Sequence, residues 1–336
     1  IMLGRSTLAD PFWPVKAQMG HSEDIVPCIR CLQCYHVSTD HKNVQCSVNP
    51  RFNREKRVPL MLPVTGHPKH LVIVGGGPAG ITCALTASRR GHQVTLLEKE
   101  PVLTGKLNIA CHGEHKADLR RFRDYLLTQL RKSSVTVHTG VLADTDVVRD
   151  LKPDALVIAV GATPSRIPLP GVDGDNCMQI SEFLQSLDTS LQHYIIIGGG
   201  SVGCETALDL AEKGKDVSII EMADCLASAS NDLYRLALSE HFARYDNLHT
   251  YLNSACQSID ADGVNVLTNG ASTHISGDKV LLSLGFRPDA KQVSSLYGIV
   301  PDTYYVGDCE RVATVAEAVN NAYFIGANVF QEQDII

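Results

Sequence analysis

Two uncharged apolar runs, each followed at once by glycines, stand out in the hydrophobic pattern of the chain. They cover residues 71–74 and 194–197. Because neither run alternates with polar positions, we expect two strands that are buried on both faces, as in a parallel sheet. Each run leads into a stretch with helical character and then into another apolar strand that ends in a glutamate. This repeat, about 120 residues apart, predicts an α/β fold with two Rossmann-like dinucleotide-binding domains.

The first set of glycines, Gly75, Gly77 and Gly80, has G-x-G-x-x-G spacing. Dinucleotide binding needs glycine there for a tight turn, for close approach of a pyrophosphate to the backbone, and for close packing of helix on strand. The N-terminus of the following helix then faces the phosphates with free N–H groups. Glu98 closes the next strand, where a carboxylate accepts the ribose 2′-OH. An ordinary turn is the alternative, but these features in this order favour dinucleotide binding.

The second set of glycines repeats this pattern. Gly198, Gly200 and Gly203 have the same spacing, and Glu221 takes the position of the ribose acceptor. No Arg or Lys stands in the next several residues to hold a 2′-phosphate. The second domain is therefore predicted to bind NADH in preference to NADPH.

The remaining pattern predicts a few further elements. Apolar positions at helical spacing predict helices over residues 119–130 and 315–329. Residues 260–263 carry a hairpin-turn signal. Two strand-to-turn exits, at residues 161–164 and 285–288, are interpreted as the places where the chain crosses between domains.

Four cysteines are clustered before the first glycine-rich loop. Cys28, Cys31 and Cys34 are separated by two residues each, and Cys46 follows a polar loop. Three closely spaced thiolates can surround one face of a 4Fe-4S cluster, and a fourth from a loop completes its ligands. A tetrahedral zinc site is the alternative. Zinc sites usually pair their cysteines as two separated hairpins, so the three-plus-one pattern favours the iron–sulfur cluster.

Composition and charge narrow the function classes. The chain has 336 residues, enough for two or three domains, and a net charge of −7 without a basic block. Nucleic acid and anionic membrane surfaces are therefore not expected as partners. No apolar run reaches the roughly 18 residues of a membrane span. Cysteine use in a chain of this size favours a reducing, cytoplasmic setting. The other seven cysteines are interpreted as small buried apolar residues: Cys83, Cys111, Cys177, Cys204, Cys225, Cys256 and Cys309.

Two loops outside the glycine motifs are candidates for flavin contact. A short strand near the C-terminal end runs into Gly307 and Asp308. A carboxylate just past a strand end can accept a hydroxyl of a ribityl chain. Gly-Asp alone is a common turn, but after two glycine-rich loops it favours a flavin contact. The loop over residues 101–110, which includes Gly105, is also expected to approach a bound flavin.

With these motifs, the chain resembles the C-terminal part of the iron–sulfur flavoenzymes of the old yellow enzyme branch. This is the group of 2,4-dienoyl-CoA reductase, 2-enoate reductase and trimethylamine dehydrogenase. The most specific marks are Gly4-Arg5, the four cysteines with Asn49-Pro50, and the ordered glycine motifs. The resemblance implies a TIM barrel before residue 1, and an FMN whose phosphate lies near Gly4 and Arg5.

The resemblance also implies how the rest of the chain is used. FAD would lie on the Gly75 loop with contacts from Gly105 and Asp308, and NADH on the Gly198 loop, in two disulfide-reductase-like domains. Three positions depart from the family pattern. Thr104 stands where many relatives have the first of two glycines. Arg30 and Leu32 replace commoner small or amide residues beside the cluster, which implies a shift of its potential.

The same resemblance sets the expected domain boundaries. Residues 1–20 would be the end of the FMN barrel, with a helical N-terminal arm as the alternative, and residues 21–66 the cluster segment. Residues 67–165 and 285–336 would form the FAD-binding domain, and residues 166–284 the NAD(H)-binding domain. The chain would be either a fragment of a longer polypeptide or the partner of a separate barrel chain.

The expected function is electron input to a flavoenzyme. Hydride would pass from NADH to FAD, and single electrons through the 4Fe-4S cluster to FMN, which reduces an activated C=C bond of enoate or enoyl-CoA type. Catalytic residues for that last step are expected in the barrel, where the small-molecule substrate binds. The alternatives are an electron-transfer subunit of a glutamate-synthase-like complex, an oxidative amine demethylase, and a non-catalytic scaffold. Homo- and hetero-oligomers both stay open.

Overall fold

The computed structural model describes residues 2–39 and 41–331, which form two compact units. The first unit contains the residues up to Cys111, Lys116–Thr163, and the residues from Arg287 onward. It therefore holds the cysteine segment, the first glycine-rich loop and the Gly-Asp turn.

The second unit contains His112–His115 and Pro164–Phe286. The crossings after Thr163 and after Phe286 lie within two residues of the expected boundaries at residues 165 and 284. The short excursion at His112–His115 has no signal in the sequence. Residues 1–66, expected as two separate segments, group with the first unit.

Strands and helices alternate along most of the described chain. The strands are β1 (His70–Val74), β2 (Gln93–Glu98), β3 (Thr136–Thr139), β4 (Ala155–Ile158), β5 (Ala162–Pro164), β6 (Cys177–Gln179), β7 (His193–Ile197), β8 (Asp216–Ile220), β9 (Leu248–Tyr251), β10 (Ser254–Asp260), β11 (Gly263–Thr268), β12 (Ala271–Ser276), β13 (Lys279–Leu282), β14 (Phe286–Pro288) and β15 (Thr303–Tyr305). The α-helices are α1 (Gly4–Ala9), α2 (Trp13–Gln18), α3 (Gln33–Thr39), α4 (Pro78–Arg89), α5 (Lys106–Ala110), α6 (Ala117–Lys132), α7 (Thr145–Asp150), α8 (Ile180–Ser186), α9 (Ser201–Glu212), α10 (Asp232–Phe242), α11 (Ala290–Leu296) and α12 (Val315–Asn328). Among these described helices, none combines the length and the apolarity that crossing a bilayer requires.

A five-stranded parallel sheet, in the order β15-β4-β1-β2-β3, is the centre of the first unit. Successive residues of a strand point to opposite faces. Leu71 and Ile73 of β1 accordingly pack in one apolar cluster with α4, α6 and α12, while Val72 and Val74 pack in another on the opposite face. The prediction of a strand buried on both faces is therefore correct.

The helices on the first of these faces follow the predicted periodicity. In α6 the apolar positions Phe122, Leu126 and Leu130 are buried. Helix α12 begins after Thr314, whose side chain forms a capping box with Glu317. Both helices match their predicted ranges to within two residues at each end.

The N-terminal residues form α1 and α2, and residues 2–20 contain no strand. Asp10 joins the two helices to the chain beyond them, because its carboxylate is 2% exposed and accepts hydrogen bonds from Lys16 Nζ at 2.6 Å and from the N–H of Val26 at 2.9 Å. A buried carboxylate needs such partners to offset its desolvation.

The second unit is also built on a five-stranded parallel sheet, in the order β6-β13-β7-β8-β9. An antiparallel sheet of β10, β11 and β12 packs against it, and Ile195, Ile197, Val264 and Val266 share one apolar cluster. The predicted hairpin turn lies between β10 and β11.

Candidate functional site

The first glycine-rich loop joins β1 to α4, and two of its glycines are required by close backbone contacts. Gly75 has φ +113°, and a Cβ there would overlap the carbonyl oxygen of Ala159. A Cβ at Gly80, in the first turn of α4, would overlap the carbonyl oxygen of Gly75. Only glycine fits both positions, so the chain turns directly from strand into helix.

Gly77 is different because no atom lies within 4 Å of the place its Cβ would occupy. Its backbone is extended, with φ −74° and ψ 180°, and it directly precedes the first turn of α4. The open space therefore lies beside the free N–H groups of a twelve-residue helix. Such an opening fits a phosphate group, which is what the sequence predicts at this glycine.

Glu98 lies at the end of β2 and is 6% exposed. Its Oε2 accepts a hydrogen bond from the N–H of Gly76 at 2.7 Å, and its Oε1 accepts one from the N–H of Glu100 at 2.9 Å. The carboxylate thus fastens the glycine-rich loop to β2, a role that the sequence pattern did not indicate. Because each carboxylate oxygen can accept a second hydrogen bond, the predicted contact with a ribose hydroxyl is compatible with this arrangement.

The second glycine-rich loop, between β7 and α9, has the same construction. Gly198 has φ +106°, and a Cβ there would overlap the carbonyl oxygen of Ser283. A Cβ at Gly203 would overlap the carbonyl oxygen of Gly198, whereas Gly200 faces open space. The sequence repeat is therefore also a repeat of backbone geometry.

The repeat includes the glutamates and the segments that follow them. Glu221 Oε2 accepts a hydrogen bond from the N–H of Gly199 at 2.6 Å, as Glu98 does from Gly76. The carbonyl oxygen of Gly199 accepts one from the N–H of Ala227 at 2.8 Å. The carbonyl oxygen of Gly76 likewise accepts one from the N–H of Thr104 at 2.7 Å.

Thr104 is a β-branched residue in the left-handed region, with φ +75°, and is fully buried. Its hydroxyl donates to Asn108 Oδ1 at 2.7 Å, and Asn108 Nδ2 donates to the carbonyl oxygen of Leu103 at 2.7 Å. These bonds hold the loop without a glycine at position 104. A Cβ on the adjacent Gly105 would lie 3.5 Å from the Cα of Gly77. The loop thus runs beside the glycine predicted to face the pyrophosphate.

Asp308, predicted to accept a ribityl hydroxyl, forms an ion pair with Lys106. The two side chains meet at 2.7 Å, and the other carboxylate oxygen of Asp308 accepts a hydrogen bond from the N–H of Ala313 at 3.2 Å. Asp308 and Gly307 also line a cavity of about 230 Å³. The sequence pattern did not indicate Lys106, because 202 positions separate it from Asp308.

The four clustered cysteines line one pocket, together with Arg5 and Leu8 of α1. Cys31 is exposed, whereas the other three are partly buried. Within residues 2–39 and 41–331, two groups of three or more potential ligand atoms lie within 4.8 Å of one another, and neither includes these cysteines. Tetrahedral zinc would hold its thiolate sulfurs about 3.8 Å apart, as follows from Zn–S distances of about 2.3 Å. No three of the four thiol sulfurs are thus gathered as closely as in a zinc site.

Two of these thiols have a raised pKa. Burial raises the pKa of Cys46 to about 11, while the N–H groups of Val48 and Asn49 act in the opposite direction. Burial also raises the pKa of Cys34, and Cys31 adds to the effect. Because only the thiolate binds metal, loading this site must release protons.

The backbone around Cys31 is unusual. Arg30 has φ 51° and Leu32 has φ 58°, so the two residues that depart from the family pattern are both in the left-handed region. Small or amide residues adopt this conformation at lower cost. Arg30 is held by an ion pair with Asp118 of α6, which also receives a bond from Arg121 at 3.1 Å.

Asn320 of α12 connects the cysteine segment to the core of the first unit. It is 6% exposed, and its Nδ2 donates to the carbonyl oxygen of Cys46 at 3.1 Å. Its Oδ1 accepts a hydrogen bond from Arg54 at 2.9 Å. From the same segment, Asn49 donates to the carbonyl oxygen of Leu8 at 2.8 Å. These contacts fix the position of the fourth cysteine.

Gly4 and Arg5, predicted to lie near an FMN phosphate, belong to α1 and line a cavity of about 690 Å³. Cys28 and Tyr125 line the same cavity. Arg5 therefore faces both this cavity and the cysteine pocket, so its guanidinium is available to an anionic group beside Cys28.

The interpretation of the seven scattered cysteines as buried residues is wrong for three of them. Cys83, Cys111, Cys204 and Cys309 are buried, but Cys177, Cys225 and Cys256 are only partly so. Cys177 and Cys256 lie on strands at the margins of their sheets, where one side of a strand has no neighbour.

Comparison with known proteins assigns these features to a family. Residues 69–322, which include both glycine-rich loops, match the family described as pyridine nucleotide-disulphide oxidoreductase. The chain belongs to that family. Membership confirms the predicted α/β fold with Rossmann-like domains.

Relatives match nearly the whole length of this chain. A Thermoanaerobacter brockii protein named NADH oxidase is 34% identical over 340 residues, covering 96% of this chain and 50% of that protein. A bilirubin reductase of Mediterraneibacter gnavus (strain CC55_001C) is 32% identical, covering 97% of this chain and 51% of that protein. The chain thus spans about half the length of these relatives.

A solved structure gives the same result. A 2-naphthoyl-CoA reductase in complex with 2-naphthoyl-CoA has a TM-score of 0.91 and 29% identity to this chain, covering 97% of this chain and 50% of that one. Together, these relatives confirm the resemblance to the flavoenzyme group that the motifs indicated.

Proposed function

We propose that this chain is the electron-input part of an NADH-dependent iron–sulfur flavoenzyme. NADH would bind at the loop of Gly198 and FAD at the loop of Gly75, and the four clustered cysteines would hold a 4Fe-4S cluster. The electrons would reach FMN in a barrel, of the same or another polypeptide, that reduces an activated C=C bond. When bound, FAD accepts a hydride and the cluster accepts single electrons, so together they convert a two-electron donor into a one-electron supply.

The observation that carries this proposal is that one compact unit contains both a glycine-rich loop and a pocket lined by all four cysteines. A loop whose middle glycine faces open space suits a dinucleotide, and four thiols that line one pocket suit a cluster. A dinucleotide domain alone would not need the cysteine segment. A zinc domain alone would not need the loop.

The residues of the chain would have distinct tasks in this scheme. The N–H groups at the start of α4 would bind the pyrophosphate of FAD, and the Lys106–Asp308 pair would orient its ribityl chain. Glu221 would accept the ribose hydroxyls of NADH, and its negative charge would disfavour the 2′-phosphate of NADPH. Arg5 would place a positive charge between the cysteine pocket and the neighbouring cavity.

An anaerobic titration of the purified holoprotein with NADH tests the proposal. Acid extraction should release FAD, and metal analysis should find four irons per chain without zinc, as a 4Fe-4S cluster requires. Bleaching of the flavin should be followed by the electron paramagnetic resonance signal of a reduced cluster. A protein that contains zinc, or a flavin that bleaches while the cluster stays unchanged, would contradict the proposal.

Oxidation of an amine by the same arrangement is a second candidate. Among the relatives, a Chromohalobacter salexigens protein named N,N-dimethylglycine/sarcosine dehydrogenase is 31% identical over 175 residues. Electrons would then run from the barrel toward this chain. Reduction of the cluster by an amine, in the absence of NADH, would distinguish this direction from ene reduction.

A further inference from the structure

A buried hydroxyl contacts the most exposed of the four clustered cysteines. Ser47 is 3% exposed, and its Oγ lies 3.0 Å from the Sγ of Cys31. The two residues are 16 positions apart. Ser47 directly follows Cys46, so one short segment supplies one thiol of the pocket and bonds to another.

The surrounding structure holds both members of this contact in place. The turn at Cys31 is fixed between two residues in the left-handed region, Arg30 and Leu32. The segment of Ser47 is fixed by Asn320, which donates to the carbonyl oxygen of Cys46. Both residues line the cysteine pocket, and the buried Ser47 is held there by its anchored segment, so the contact is part of the pocket.

The direction of the hydrogen bond follows from the chemistry of a metal ligand. A ligating cysteine is a thiolate, which has no proton and can only accept, so the serine hydroxyl must donate. A hydrogen bond to a thiolate sulfur withdraws negative charge from it. The bond is stronger when the cluster carries the additional electron, because hydrogen bonds to charged acceptors strengthen with their charge. It therefore favours the reduced state.

We propose that Ser47 raises the reduction potential of the cluster by donating a hydrogen bond to Cys31 Sγ. It is a positioning residue that acts through the ligand and does not itself bind iron. The inference rests on the proposed function, because it requires that Cys31 ligates a cluster. The inference adds to the proposed function one residue, Ser47, that affects how readily the cluster accepts an electron.

Redox titration of the holoprotein, followed by electron paramagnetic resonance, tests this role with three variants. Ser47→Ala removes the donor and Ser47→Thr retains a hydroxyl. Ser218→Ala, at a buried serine of the second unit, is the control for loss of a buried hydroxyl. We expect Ser47→Ala to lower the potential by about 59 mV, which is a tenfold change in a one-electron equilibrium. Ser47→Thr and Ser218→Ala should keep the wild-type value.

A second measurement covers the case in which Ser47→Ala loses its cluster. Exchange of wild-type holoprotein into D₂O should shift the Fe–S stretching frequencies seen by resonance Raman spectroscopy, since the exchangeable hydroxyl proton of Ser47 is hydrogen-bonded to a sulfur ligand. A wild-type spectrum without any such shift overturns the inference. So does an Ser47→Ala variant with full iron content and an unchanged potential. A wild-type protein without iron would instead overturn the proposed function itself, and the inference with it.

Discussion

The N–H of Gly199 donates to the carboxylate of Glu221 across 2.6 Å, and the N–H of Gly76 donates to Glu98 across 2.7 Å. In each loop the donor is the residue between the first two glycines of the motif. Its hydrogen bond to the glutamate fixes the loop. The glutamate thus shapes the phosphate-binding backbone before any ribose reaches it.

Replacing Glu221 tests this double role. Glu221→Ala leaves the N–H groups of Gly199 and Ala223 without their acceptor. We expect at least a tenfold rise in the KM for NADH, since about 1.5–3 kcal/mol is typical of hydrogen bonds to a charged group. Glu221→Gln keeps an acceptor oxygen and should have a smaller effect. Glu240→Ala, at an exposed position of α10, is the control. An unchanged KM for NADH in Glu221→Ala would contradict a role of Glu221 in shaping this loop for the nucleotide.

Two glycines of the first loop should respond in opposite ways to alanine. Gly80→Ala places a Cβ against the carbonyl oxygen of Gly75 and should destabilise the fold by about 1–3 kcal/mol. Gly77→Ala meets no atom within 4 Å, so the melting temperature of its apoprotein should equal that of the wild-type apoprotein. Its flavin content should nevertheless fall, because the methyl group occupies the space of the pyrophosphate. Circular dichroism and flavin extraction measure the two effects. Equal melting temperatures for Gly80→Ala and Gly77→Ala would refute the distinction between a close backbone contact at Gly80 and open space at Gly77.

Asn320 should be required for stability of the cysteine segment. Asn320→Ala removes a partly buried acceptor of Arg54 and the donor to the Cys46 carbonyl, while Arg54 keeps its hydrogen bond to the carbonyl oxygen of Pro50. A lost hydrogen bond costs about 0.5–1.5 kcal/mol, so urea unfolding should show a loss of about that size together with lower iron content. Asn321→Ala, on the exposed side of the same helix, should match the wild type. Unchanged stability of Asn320→Ala would show that the hydrogen bonds of Asn320 to Arg54 and Cys46 do not stabilise the cysteine segment.

Asp278 should make stability depend on acid pH. Its carboxylate accepts hydrogen bonds from the N–H groups of His193, at 2.8 Å, and Gln192, at 3.2 Å, which lowers its pKa below 3.8. A lowered folded-state pKa contributes stability above the unfolded value, and this contribution is lost as the pH falls through the folded-state pKa.

We therefore expect Asp278→Asn to lower the free energy of unfolding at pH 7, and the difference from the wild type to shrink as the pH falls below the ordinary range of an aspartate pKa. The side chain is 43% exposed, so the difference at pH 7 should stay below about 1 kcal/mol. Asp232→Asn, at a side chain 98% exposed, is the control. Chemical denaturation from neutral to acid pH measures both variants, and a difference that does not shrink with acidification would argue against the carboxylate.

The sequence predicted those parts of the fold that depend on local pattern. Both glycine-rich turns, the strand β1 and the helix α12 follow from periodicity and from steric requirements within a few residues. The geometry at Gly75 and Gly80 is such a case, because the overlap involves backbone atoms that every sequence contains.

The parts that the sequence did not reveal depend on contacts between distant positions. Lys106 meets Asp308 from 202 positions away, and Asn320 reaches Cys46 from 274 positions away. No local pattern encodes such pairs. The left-handed conformation of Thr104 was equally hidden, since a β-branched residue is a poor indicator of positive φ.

The near identity of the two glycine-rich loops has a consequence for how each nucleotide is retained. A prosthetic group must stay for the lifetime of the protein, whereas a cosubstrate must leave after every turnover. Backbone contacts that are the same in both loops cannot produce this difference in residence time. It must come from side chains outside the repeat, and the Lys106–Asp308 pair of the first unit is the place to look for it.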